Sequence, residues 1–275
     1  MRSAAPVPRP AAPVALLVLL LASGSGAQTL DPSGLRKRVS APGALLDDYE
    51  VAEPRTITFT LGAGYVKVPA GHDVWMPSSD LSIGLTRWMD VSIYSSITKV
   101  SFEGFRTTAM GDAYINAKFV VLREGQRRPG IAFQPVLEVL GRPSLANNPL
   151  APDKVNAAFG GLVGKSLWDR VRVYNHSGYF TRGIVFTSSV VEYTRFSRFT
   201  PVVFATFGAL TRNRATAAEL LANASRLDLG GTLGFRLAKD WSGYFSVGRS
   251  LGRRDLNSSN ISIGGAISYT WRPWE

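Results

Sequence analysis

Cysteine is absent from this 275-residue chain, and histidine occurs only twice. The first absence excludes disulfide scaffolds, Cys-ligated zinc, thiol catalysis and a lipid anchor on an N-terminal Cys. So few imidazoles leave little from which to build a metal centre; no metal and no cofactor are expected. Charged residues are also scarce, at 19%, against roughly 25% in soluble domains. No apolar run reaches the ~20 residues of a membrane-crossing helix, so a membrane protein with this sequence must cross with strands.

What is present points the same way. The 27 glycines exceed average usage and suit closely packed strands better than a helical enzyme. The formal charge is +11, but the basic residues are scattered among turns, loops and strand interiors. Arg36-Lys37-Arg38 is the one tight cluster. That scatter argues against a nucleic-acid partner, and for loops facing anionic lipid or a lumen that favours anions.

Residues 1–27 read as a secretory signal peptide. Arg2 and Arg9 supply the positive start, residues 14–22 a short apolar stretch, and Ser25-Gly26-Ala27 small residues for cleavage. Residues 28–54 mix Pro, Ser and both signs of charge without a period, and read as a flexible periplasmic segment. The alternative is a short plug folded into the domain that begins at residue 55. From residue 55 to 275 the chain alternates.

In 225–251, Leu227, Leu229, Leu233, Phe235 and Leu237 fall on one face, and Arg226, Asp228, Gly230, Thr232, Gly234 and Arg236 on the other. After Lys239-Asp240 the alternation resumes with Trp241, Phe245, Val247 and Leu251. Ile57, Phe59, Leu61, Ala63 and Tyr65 oppose threonines and glycines in the same way, and further such runs bring the count to about twelve, an even number as bacterial barrels require. Links are alternately short and mostly long, the longer ones including 67–80 and 101–111. Thr181-Arg182-Gly183 is short where a long link is due, which leaves the count open by one hairpin. Pro135 inside a strand suggests a bulge or kink. The fold expected is all-β: a transmembrane antiparallel up-and-down barrel in the bacterial outer membrane. A soluble sandwich also alternates, but here the polar faces hold Gly, Ser and Thr rather than Lys and Glu, and Trp75, Trp88, Trp168, Trp241, Tyr269, Trp271 and Trp274 gather near strand ends, as interface girdles do.

The polar faces nominate Lys118, Gln134, Glu138, Arg170, Arg172, His176, Arg226, Asp228 and Arg236 as lumen-lining. Arg170, Arg172, Arg226, Arg236 and Lys118 could form a basic constriction selecting anions. Alternatively they pair with Glu138, Asp228 and Glu192 and knit the wall together, and this pairing is the expectation. An enzyme is not expected. Twelve-stranded phospholipases carry a motif like Y-x-H-x-S-N-G, with His and Ser on one outward face. In Tyr174-Asn175-His176-Ser177-Gly178 the His and Ser are adjacent, so a strand sends them to opposite faces. Asp73, Asp80, Asp153 and Asp255 lack the spacing of a calcium loop.

Gly111-Asp112, Ala117-Lys118-Phe119, Arg128-Pro129 and Gly141, following residues 85–97, resemble a transporter-like outer-membrane barrel family named for the meta-cleavage pathway of phenol degradation. The resemblance implies a barrel over roughly residues 55–274 and uptake of small, often hydrophobic compounds; it implies no catalytic residues. The expected function is thus passive diffusion of small hydrophobic or acidic solutes, with a closed structural or adhesive barrel as the alternative. Expected partners are outer-membrane lipid and lipopolysaccharide, the solute, and the barrel-assembly machinery. The last would read Tyr269, Trp271 and Trp274 near the C-terminus.

Overall fold

The computed structural model describes residues 47–69, 71–102, 105–147, 150, 153–168, 170–252 and 258–273. Strands β1 (Thr56–Val68), β2 (Gly71–Thr86), β3 (Met89–Phe102) and β4 (Phe105–Met110) open the wall. They are followed by β5 (Ala113–Leu122), β6 (Gly130–Val139), β7 (Val155–Leu167), β8 (Val171–Phe180) and β9 (Ile184–Tyr193). β10 (Phe199–Leu210), β11 (Ser225–Arg236), β12 (Trp241–Leu251) and β13 (Ile261–Trp271) complete it. Two short helices, α1 (Arg142–Asn147) and α2 (Arg214–Glu219), lie in the links β6–β7 and β10–β11.

Every neighbouring pair is antiparallel, and β13 pairs with β1, Ile57 opposite Trp271 through Lys67 opposite Ile261, which closes the sheet. β4 and β5 both pair with β3, β4 along its later residues and β5 along its earlier ones. They are two pieces of one wall strand broken at Gly111-Asp112, so the barrel has twelve. The tight turn at Gly183, φ 91°, leaves that number unchanged. A closed barrel leaves no unpaired sheet edge, a condition for strands in hydrocarbon.

Alternation sets what each face meets. Outward positions expose Phe59, Leu61, Ile93, Ile115, Phe133, Phe159, Val203, Leu229, Leu233, Phe245, Val247 and Ile267, a continuous apolar belt with the chemistry of a lipid-facing wall. Trp88, Trp168, Trp241 and Trp271 are exposed together at the short-turn end, where an aromatic girdle marks the bilayer interface. Most strands run 10 to 13 residues, enough for a tilted crossing.

Two expected loops are strand instead. β2 and β3 extend to 16 and 14 residues, and β3 turns straight into β4, so this side of the barrel stands taller. The alternation there is weak because Pro77, which has no N–H to give a ladder, lies in a register shift between Trp75 and Ser78. Pro135, in contrast, causes no register shift: its neighbours stay in step with β7, Pro135 opposite Phe159, and the irregularity between β5 and β6 falls between Val120 and Leu122.

Candidate functional site: a polar lumen and its internal strap

The lumen is chemically two-sided. From β11 through β13 to β1, most inward positions are small: Gly230, Thr232, Ser246, Gly248, Gly264, Ala266, Ser268, Thr60 and Gly62. Across from them, β5, β6, β8 and β9 send in Lys118, Gln134, Glu138, Arg172, His176 and Glu192, each buried. Even spacing along each strand puts these long polar groups on one face, and closure turns that face inward.

Of the nominated residues, Lys118, Gln134, Glu138, Arg172 and His176 lie inside. Arg172 Nη1 meets Glu192 Oε2 at 3.3 Å, and the Tyr174 hydroxyl donates to Glu192 Oε1 at 2.9 Å. Glu138 faces Arg182 Nε at 3.1 Å. His176 packs edge-on to Phe186, ring centroids 5.0 Å apart. Arg226 pairs with Asp228 at 2.8 Å on the loop side of β11, while Arg170 and Arg236 are exposed at the short-turn end. Lys118 and Arg172 share Asp48, Arg170 and Arg236 lie at the short-turn rim and Arg226 at the opposite end, so the five do not make a single ring of charge.

Tyr269 and Trp271 lie on the outer face of β13, the Tyr269 ring 5.0 Å from that of Trp241; Trp274 lies outside the described residues. Ser177 points outward, bonded to Asn175 Oδ1 at 2.6 Å, and His176 points inward. They form no nucleophile–base pair.

The residues that sequence reasoning missed precede β1. Residues 47–53 cross the short-turn end and enter the lumen. The Ala52 N–H donates to Asp90 Oδ2 at 2.6 Å, and Lys118 Nζ donates to Glu50 O at 3.0 Å and to Asp47 Oδ1 at 2.5 Å. Gln134 Nε2 donates to Asp47 Oδ2 at 3.0 Å. Arg172 Nη2 meets Asp48 Oδ2 at 3.2 Å and Glu50 Oε2 at 3.3 Å. Between these pairs the Tyr49 side chain is 2% exposed, packed on Ala132, Leu162, Tyr174, Val190 and Val202, with the Arg172 guanidinium 5.0 Å from its ring centroid. Its hydroxyl donates to Glu124 Oε2 at 2.5 Å. Burial opposes ionisation of Glu124, but the donors Tyr49 and Ser166 and the Lys165 ammonium outweigh it and hold the carboxyl below its usual range. The same burial and the nearby Glu124 charge push the Tyr49 phenol well up.

Residues 47–53 of the segment read as 28–54 thus lie against the inner wall; residues 28–46 and the signal lie outside the described residues. The available signal was charge. Asp47-Asp48-Tyr49-Glu50 is an acidic run just before the first strand of a chain with a net positive charge.

No family model matches the chain, and no curated protein matches it by sequence. Solved structures do match in three dimensions. An outer membrane channel from Pseudomonas putida F1 aligns at TM-score 0.57 and 10% identity, over 82% of this chain and 98% of that one. The NanC porin aligns at TM-score 0.56 and 11% identity, over 77% and 98%. The KdgM porin, solved in complex with disordered oligogalacturonate, aligns at 0.53 and 13%, over 78% and 99%. The fold is that of an outer-membrane barrel. These neighbours are porins and channels rather than enzymes.

Proposed function

We propose that this chain is an outer-membrane channel through which small solutes diffuse passively. The observation that carries the reading is the two-sided lumen: a polar, charged face opposite a face of small side chains, sealed from lipid by an apolar wall. Small side chains leave cross-section for a solute, and the charged face supplies groups that replace part of its hydration. The strap lies across the route at the short-turn end, so it sets how far the channel is open.

Membership of the phenol meta-cleavage barrel family belongs to the same reading. Its support is that the Gly-Asp and the later Gly of the resemblance meet in space. Gly141 N donates to Asp112 Oδ1 at 2.8 Å, and a Cβ on Gly141 would come within 2.2 Å of Met110 O. Residues so joined are constrained together. The same reading includes outer-membrane lipid and lipopolysaccharide around the apolar belt, and recognition of Tyr269, Trp271 and Trp274 by the assembly machinery.

The test is conductance of the full chain in a planar bilayer. Stepwise conductance from a preparation whose gel mobility shifts on heating supports the channel. Silent membranes from the same heat-shifting barrel favour a closed structural barrel working through its loops.

A further inference from the structure

We infer that Lys118, Gln134 and Arg172 form a binding subsite for a carboxylate-bearing aromatic solute, and that residues 47–50 occupy it as an internal competitor. The inference rests on the channel reading and names its solute class.

The two halves of the cluster differ in how they are held. The cations belong to the wall and lie covered where the strap docks, with side-chain exposures of 1% for Lys118 and 5% for Arg172. Of the strap anions, Asp47 and Glu50 face the open lumen, with exposures of 29% and 42%, while Asp48, at 9%, is enclosed between Lys118 and Arg172. The carboxylates open to exchange are therefore those of Asp47 and Glu50. Arg172 shows the division within one group: Nη1 is held by Glu192 of the wall, while Nη2 is given over to Asp48 and Glu50 of the strap. Buried cations are not readily left without an anion, so the strap leaves by exchange for another carboxylate more readily than by simple release.

The aromatic part of the assignment comes from glycine. A Cβ on Gly130 would come within 2.2 Å of the Tyr49 ring, and one on Gly164 within 2.3 Å. Both wall strands thus lack a side chain where the ring lies, and the hollow is shaped for a flat six-membered ring. Glu124 accepts a hydroxyl at its far end and Arg172 lies over its face, where a guanidinium is attracted to an aromatic ring. Ring, hydroxyl and carboxylate sites in one cradle match a hydroxyaryl carboxylate.

The experiment is calorimetric titration of the full chain, folded in detergent and checked by its heat-shifted mobility. The probe is 4-hydroxyphenylacetate, and its neutral amide is the comparison. In the variant D47N/D48N/Y49A/E50Q, which also empties the ring hollow, the acid should bind at least tenfold more tightly than to the unaltered chain, and at least tenfold more tightly than the amide. Adding Lys118→Gln should take that tenfold away while the heat shift persists. Equal affinity for acid and amide, or acid affinity indifferent to the strap carboxylates, overturns the subsite. Conductance is read separately. A conducting barrel without acid preference loses the subsite and keeps the channel; a silent barrel with acid preference keeps the subsite and loses the channel.

Discussion

Tyr49 is the residue on which the strap depends. It fills a hollow cleared by Gly130 and Gly164 and is bonded to Glu124, so its loss removes both packing and the anchor. Tyr49→Ala should cost about 3 kcal/mol of strap docking, the low end for truncating a large buried aromatic, which corresponds to roughly 100-fold faster cleavage of residues 47–53 by an added protease. Cleavage at the unaltered rate would show that the ion pairs alone hold the strap. Glu124 adds a pH dependence with a definite sign. Its folded-state pKa is lowered, so its contribution is complete above the ordinary carboxylate value and is lost as pH falls through the lower folded value. Amide exchange of Glu50 and Val51, corrected for intrinsic rates, should therefore rise in acid below the ordinary carboxylate range. In Glu124→Gln the strap should already be looser at neutral pH, and the acid rise should be smaller, leaving the part that comes from the strap carboxylates paired with Lys118 and Arg172.

At the scale of elements, strand position decides the effect of a charge. Val247 is near the middle of β12 on the lipid face, whereas Arg249, on the same face, is two residues nearer its end. Val247→Arg should destabilise the barrel by about 2–4 kcal/mol in denaturant titration in lipid, as expected at a bilayer midplane; a loss below ~1 kcal/mol would place that position at the interface instead. β13 carries the second prediction. Replacing Trp271 and Trp274 together by Ala should lower the heat-shifting barrel recovered from outer membranes severalfold, and unchanged recovery would remove their role in assembly. The strap is an element of another kind, irregular backbone whose N–H and C=O groups are partly satisfied by wall side chains such as Asp90 and Lys118. Such backbone is tolerated at membrane depth because it lies within the protein.

The whole molecule is a cylinder whose outside and inside obey different rules, and a two-residue period was enough to separate them. That period is local: Leu227, Leu229 and Leu233 face lipid, and Asp228 and Thr232 face inward, whatever the rest of the chain does, because successive Cβ atoms in a strand point to opposite faces. The wall, its strand number and the inward placement of Lys118, Gln134, Glu138, Arg172 and His176 were legible for this reason. The height of the β1–β4 side was not, since the bulge at Pro77 interrupts the period on which the reading depended. Nor was the strap legible. Its ion pairs join residues 71 and 124 positions apart, and no pattern within residues 47–53 states which wall they will meet. By itself the sequence determined a barrel with a polar interior and an apolar belt, because alternation is a property of each strand alone. Only the tertiary structure decided that Asp47, Asp48 and Glu50 neutralise Lys118 and Arg172 inside it, because closing the sheet brings those cations within reach of the residues that lead into β1.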